Sequence, residues 1–405
     1  MSKAVILIPG IKGTKLYDAN SFDNDILWQD IRYNFSDFER LELTLLQKGN
    51  IPYFEEDFTT IAKPLKLEGL AYNEFWNRLD YEKGHKFIFQ YDWRLPNQEN
   101  AVRLKEFMDY IILKSKKIKN GNPITKFDFV THSMGNMPLR FYILEHGMDK
   151  IDKIIFANPP FKGAPDAISA LTVGEGFFFN RDEIRRMARS LPSLFELLPS
   201  YNYCAIDSNS YKPVDIWNIK NWQKNLTFTT NPQEEDSIKK FKENLKHAKT
   251  AKEKLEKWNN NLTQEEKNRI LVLVKTEDTT LSNIVIEKDP IDNNPENYFD
   301  LDISLRINEG DGVVPNVSSC HYHDQFTTLA FENRPFLDDF KHPFFLKDNR
   351  AQRIINGYLN SKEPAISYKL PVKGRNVKRV IGLKTNIIIE NGIDHKFEKI
   401  ELING

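Results

Sequence analysis

Short apolar runs rich in β-branched and aromatic residues alternate along this chain with longer stretches of helical spacing. The runs are KAVILIP, KFIFQYD, FDFVT, DKIIFAN, RILVLVK and DISLRI, with FTTLAF the last before a helical pattern. Few polar residues interrupt them, so each strand is expected to be buried on both faces. The arrangement that does this is a mainly parallel sheet covered by helices on both sides. Between the runs, Val102, Met108, Ile111 and Ile112 recur at roughly helical spacing within 97–119, and 134–147 and 348–359 also read as helices. Strand, turn and helix follow one another as in an α/β core.

Two segments break the alternation. Residues 172–261 hold few strand signals, an aromatic cluster at Phe177, Phe178 and Phe179, and a helix in which Ile238, Phe241, Leu245, Ala248 and Leu255 form an apolar stripe. That helix carries eight lysines between Ser237 and Trp258, so it reads either as a solvated helix packed on its neighbours or as an interfacial helix on anionic lipid. The tail from Lys362 reads as short strands with glycine turns. The expected organisation is a core in two parts, 1–171 and 262–361, with an inserted, largely helical cap at 172–261 and a small β appendage at 362–405.

Charge excludes some partners. Lys plus Arg and Asp plus Glu both number 57, so no global field draws the chain to nucleic acid. The only cysteines are Cys204 and Cys320, too few for a disulfide framework, which fits a reducing compartment. The opening MSKAVILIPG runs straight into a core-like strand, without the apolar segment of a signal peptide, and no apolar run approaches the ~18 residues of a membrane span. The expected location is cytoplasmic, with contact at a membrane surface left open.

The chemistry centres on FDFVTHSMGN, Phe127 to Asn136. A strand running into G-x-S-x-G presents a serine on a tight strand-to-helix turn, where small residues two before and two after let strand and helix approach. Gly135 fills the later place; Thr131 stands in the earlier one. The plain alternative is a serine capping the helix that follows. A serine enzyme also needs a base, an orienting carboxylate and oxyanion donors. INEGDGVVPNVSS places Asp311 between two glycines after the run DISLRI, and DDFKHPFFLKDNR places His342 just before the last core helix. Serine, acid, histidine is the order of the α/β-hydrolase arrangement. After VILIPG, the glycines Gly10 and Gly13 let the loop bend toward Ser133, so the N–H groups of Ile11 and Met134 are the candidate oxyanion donors.

Several stretches together resemble one family: VILIPGIKGTKL, LWQDI, YDWRLPNQEN, THSMGNM, Gly163 to Pro165, LPSLFELLPS and GDGVVP. The chain resembles the lecithin:cholesterol acyltransferase family, which includes lysosomal phospholipase A and phospholipid:diacylglycerol acyltransferases. The resemblance runs in order from the first strand to about Leu359. It implies an α/β-hydrolase core with a cap and acyl-ester chemistry on lipids. Ser133, Asp311 and His342 then take the triad roles, and Ile11 and Met134 the oxyanion positions. That family also accepts alanine where Thr131 stands. Secreted members staple a membrane-binding element near the N-terminus with a disulfide, whereas this chain has no cysteine before Cys204.

Competing constellations are weaker. CHYHD, Cys320 to Asp324, would bring His321 and His323 to one face if it were a strand, but no second cluster at metal spacing accompanies it, so no metal and no cofactor are expected. His132 reads as a packed residue of the turn. Asp92, Trp93 and Arg94 either contact substrate or brace a loop. Three functions follow: an acyl hydrolase or acyltransferase on lipid esters, an esterase or thioesterase for small soluble substrates, and a binding or scaffolding protein that keeps the turn without turnover.

Overall fold

Ala4, Val5, Ile6, Leu7 and Ile8 are all fully buried, and they alternate between two cores. Ala4, Ile6 and Ile8 belong to one apolar cluster, Val5 and Leu7 to another on the opposite face. The same division holds for Phe129 against Val130, Phe156 against Ile155, and Val272 against Leu271 and Leu273. This explains the largely apolar runs: both sides of each strand face hydrocarbon, so both positions of the two-residue repeat favour apolar residues. The computed structural model describes residues 2–21, 25–28, 38–48, 51–55, 61–82, 84–118, 122–174, 181–222, 232–288, 297–334, 340–369 and 376–404. Phe177 to Phe179 lie outside the described residues.

The central sheet has eight strands, numbered here along the chain: β1 Ser2–Ile8, β2 Lys86–Ile88, β3 Ile124–His132, β4 Ile151–Ala157, β5 Ile270–Lys275, β6 Thr327–Phe331, β7 Val377–Glu390 and β8 Ile393–Asn404. Their spatial order is 8-7-6-5-4-3-1-2. All pairings from β2 to β6 are parallel, while β7 joins β6 antiparallel and β8 joins β7 likewise. One face is covered by α1 (Gly69–Arg78) and α6 (Asn349–Asn360). The other is covered by α2 (Asn97–Ser115) and α3 (Asn136–His146), and the long α5 (Pro232–Leu255) packs against α3 and the short α4 (Pro192–Glu196). This is the α/β-hydrolase architecture.

Three local expectations are corrected. DISLRI is not in the central sheet: it ends the strand Asn297–Ile307, which pairs antiparallel with Thr280–Lys288 and, through it, parallel to Ala205–Asp207. Its exposed Asp302 and Arg306 leave it buried on one side only, which suits a half-covered antiparallel sheet. CHYHD is not a strand but a turn after the short helix Asn316–Ser319, so His321 and His323 do not share a strand face. The tail strands are long rather than short, and they extend the central sheet through an Asn391-Gly392 turn whose φ values, 51° and 78°, suit a tight hairpin.

The apolar stripe of α5 faces inward. Phe241, Leu245, Ala248, Ala251 and Leu255 are buried in the larger core, which leaves that face unavailable for lipid. Its C-terminal end is held by Arg140 of α3, which donates to the Leu255 carbonyl at 3.0 Å and lies within 5.3–5.7 Å of the Phe161, Trp258 and Tyr322 rings. Nearer the middle of α5, His247 Nε2 lies 3.0 Å from the buried Glu196 carboxylate, whose other oxygen accepts from the Asn97 backbone and side chain. Burial lowers the His247 pKa, but the Glu196 hydrogen bond and charge, with Glu99 beside it and Lys254 opposing, leave it raised. A raised histidine stabilises the fold fully below its unfolded pKa of about 6.5 and loses that contribution as pH climbs through the higher folded value. His247→Gln is therefore expected to cost about 1 kcal/mol in urea unfolding at pH 5.5 and progressively less at alkaline pH; an equal cost at pH 5.5 and 9 would refute the charged pair.

Candidate active site

β3 ends at His132, and Ser133 begins a single 3-10 turn, Ser133–Gly135, that leads into α3. Ser133 has φ of 53°, in the left-handed region that a non-glycine residue enters at a cost of order 1–3 kcal/mol. The strain lifts the side chain off the end of the sheet. Two glycines make room for the turn. A Cβ on Gly135 would sit 2.5 Å from the carbonyl oxygens of both Ile8 and Pro9, and one on Gly10 would sit 2.8 Å from Ser133 Cβ. The close approach is therefore made by β1 and its following loop. Thr131, by contrast, pairs with Ile8 and Phe156 inside the sheet, fully buried, with no hydrogen-bond partner for its Oγ1 among the described residues. The sheet accommodates a buried side chain at that place.

His342 and Asp311 come to the same spot. His342 Nε2 lies 2.7 Å from Ser133 Oγ, and His342 Nδ1 lies 2.5 Å from Asp311 Oδ2. A carboxylate can only accept, so Nδ1 carries the hydrogen and Nε2 is left to accept from the serine hydroxyl. Asp311 is fixed in turn: its Oδ1 accepts from the Val313 and Val314 amides, and its carbonyl accepts from His342 N–H at 2.9 Å. Gly312 has φ of 93° and donates to Thr280 Oγ1, while a Cβ on Gly310 would strike that same oxygen at 2.5 Å. The two glycines that flank the aspartate are what let the turn fold against Thr280.

Ile11 lies in a turn closed by Gly13 N–H to the Gly10 carbonyl, and its own N–H has no acceptor among the described residues. Ile11, Ser133 and His342 border one cavity of about 270 Å³, walled largely by apolar groups from Ala71, Ala164, Ala167, Leu194, Leu197 and Val313. Met134 follows Ser133 on the turn and is buried. Asp92, Trp93 and Arg94 do not border the cavity. Arg94 makes a two-pronged ion pair with Asp92 and donates to the Leu41 carbonyl, and Trp93 donates to Thr14 and packs edge-on against Trp28 at 5.4 Å, so these three brace the loop. One residue at the site went unread in the sequence. Tyr72 of α1 lines the cavity and bonds His132; nothing in GLAYNEFW separates it from the other aromatics on the buried face of an amphipathic helix.

The parallel sheet, its strand order and a strained serine at the end of a central strand define an α/β hydrolase. A family model for lecithin:cholesterol acyltransferase matches residues 59–297, more than half of the chain, and the chain belongs to that family. Among solved structures, the Tle4–Tli4 complex contains a chain with 15% identity and a TM-score of 0.63, aligned over 87% of this chain and 97% of that one. The lin2722 product of Listeria innocua has 15% identity over 90% and 97%, with a TM-score of 0.33. An alpha/beta fold family hydrolase of Bacillus anthracis has 10% identity over 88% and 92%, with a TM-score of 0.28. The first of these is similar in fold. No curated protein matches the chain by sequence. No helix among the described residues is long and apolar enough to cross a membrane.

Proposed function

We propose that the protein is a serine acyl-ester hydrolase or O-acyltransferase acting on lipid esters. Ser133 Oγ attacks the acyl carbonyl while His342 Nε2 accepts its proton. Asp311 holds the imidazole in the required tautomer, and the Ile11 and Met134 N–H groups receive the charge that forms on the carbonyl oxygen. The tetrahedral adduct collapses as His342 returns the proton to the leaving alkoxide, leaving an acyl-enzyme. Water or an alcohol, deprotonated by the same imidazole, then takes the acyl group. The observation that carries this reading is the chain of two hydrogen bonds, 2.7 Å and 2.5 Å, from the strained serine through His342 to Asp311, beside a cavity with apolar walls. Such walls suit an acyl chain, and family membership supports a lipid as its source. Within this reading 172–261 acts as a cap between the core segments 1–171 and 262–361, with Leu194 and Leu197 its contribution to the cavity wall, and 362–405 extends the core sheet by two antiparallel strands.

A fluorophosphonate probe tests the nucleophile. Labelling is expected at Ser133 in folded protein and is expected to vanish after heat denaturation; folded protein that stays unlabelled would sink the proposal in favour of a scaffold. Phospholipid vesicles test the substrate class. Turnover of a long-chain ester is expected to rise when the ester is presented in vesicles, and equal rates with a monomeric short-chain ester would point to a soluble esterase instead.

A further inference from the structure

A second chain of hydrogen bonds runs behind Ser133, and acyl transfer as written above does not use it. Gly10 N–H donates to Tyr72 Oη at 2.9 Å, Tyr72 Oη lies 2.8 Å from His132 Nδ1, and His132 Nε2 lies 2.9 Å from the carbonyl oxygen of His342. The two ends fix every proton in between. At one end is a backbone N–H, which can only donate; at the other is a carbonyl, which can only accept. His132 Nε2 must then carry its hydrogen, Nδ1 must accept, and the Tyr72 hydroxyl must donate to it. Both side chains are almost wholly buried, with Tyr72 at 3% and His132 at 2% exposure. Burial, and after it the neighbouring His342, pushes the His132 pKa down to about 3, which keeps the ring neutral as this pattern requires.

The ends of this chain are adjacent to the reacting groups. Gly10 N–H precedes the Gly10–Ile11 peptide, so fixing it aims the Ile11 N–H. It also occupies the Gly10 amide, leaving the Ile11 amide as the one free to meet an oxyanion. The carbonyl at the other end belongs to His342 itself, whose ring lies 5.2 Å from that of His132. Tyr72 is held independently. α1 starts at the cap Glu68, which accepts from the Leu70 and Ala71 amides, and Glu68 N–H donates to the Gly13 carbonyl at the far side of the same loop.

We propose that Tyr72 and His132 are positioning residues: together they tie the oxyanion loop and the backbone of His342 to the strand end that carries Ser133, so that donor, nucleophile and base keep one geometry. The proposal rests on the acyl-transfer reading and goes beyond it. An ordinary buried polar pair would satisfy itself within the core and affect stability alone. This one is expected to affect the reaction.

Tyr72→Phe keeps the ring and removes one hydroxyl. Its expected kcat on a long-chain ester is 10- to 100-fold below wild type with KM within twofold. Affinity for an alkyl boronic acid, which forms a tetrahedral adduct on the serine, is expected to fall at least 10-fold, while affinity for an unreactive alkyl ether analogue stays within twofold. His132→Asn and His132→Gln remove one end of the chain each and serve if Tyr72→Phe does not fold; both are expected to lose at least 10-fold in kcat, and Tyr72→Phe added to His132→Gln is expected to lose little more. Wild-type protein that the fluorophosphonate labels, together with folded variants that keep wild-type kcat and boronate affinity, would overturn this proposal and leave the acyl-transfer reading standing. Wild-type protein left unlabelled would overturn both.

Discussion

Ser133→Ala is expected to lower kcat by about 10⁴-fold or more while the protein stays folded, the scale seen when serine enzymes lose their nucleophile. No other hydroxyl lies within hydrogen-bonding distance of His342 Nε2 among the described residues, so nothing can take its place. The losses are expected to be non-additive: the double variant Ser133→Ala, His342→Ala should turn over no more slowly than either single one, because the groups act as a unit. Asp311→Asn is expected to lose a comparable factor through the wrong imidazole tautomer, since an amide can present a donor to Nδ1. A separate result follows from the backbone. Ser133 holds φ of 53°, so Ser133→Gly, inactive as well, should melt above Ser133→Ala by an amount equivalent to about 1 kcal/mol or more. Calorimetry on the two inactive variants measures that strain directly.

Gly135→Ala is expected to cost about 3 kcal/mol of stability and most activity. The added methyl would lie 2.5 Å from two carbonyl oxygens of β1 and its loop. Neither oxygen can turn aside, because Ile8 is a core residue of a central strand and Pro9 accepts from the Tyr91 hydroxyl. Either the elbow lifts or β1 shifts, and both change the distance between Ser133 and the Ile11 amide. Gly147→Ala is the contrasting control. Unlike Gly135, whose φ is −56°, it sits at positive φ, 68°, with nothing within 4 Å, so only a backbone term of order 1–3 kcal/mol applies there and none of the clash. Gly135→Ala protein that keeps wild-type stability and activity would show that the elbow does not depend on the approach of β1. Thr131→Gly, finally, should gain nothing, because the glycine usual at that place answers no clash here.

The readable and unreadable parts of this fold differ in range. Strands buried on both faces announce themselves, since between the charged residues at their ends KAVILIP and RILVLVK hold only apolar ones. Ser133, Asp311 and His342 were legible for a similar reason: each needs particular neighbours, glycines at 310, 312 and 135 and the start of a helix after 342, and those neighbours lie beside it in the chain. The strand containing DISLRI was misplaced because apolar content says that a strand is buried, not which sheet buries it. CHYHD looked like a strand because its alternation is also what a turn with two inward aromatic contacts produces; Tyr322 packs against Phe161 and Phe326 from it. Tyr72 was invisible because its partners are a backbone amide at 10 and an imidazole at 132. Only the packing of α1 against the end of the sheet brings those together.

The positions of Ser133 and His342 in the chain govern when the two can meet. Ser133 and His342 are 209 positions apart, so the hydrogen bond between them closes a long loop. Such long-range closure is slow compared with helix formation. A chain synthesised only as far as residue 300 thus holds Ser133 without Asp311 or His342. Under the proposed acyl-transfer reading, synthesis itself then acts as a safety catch.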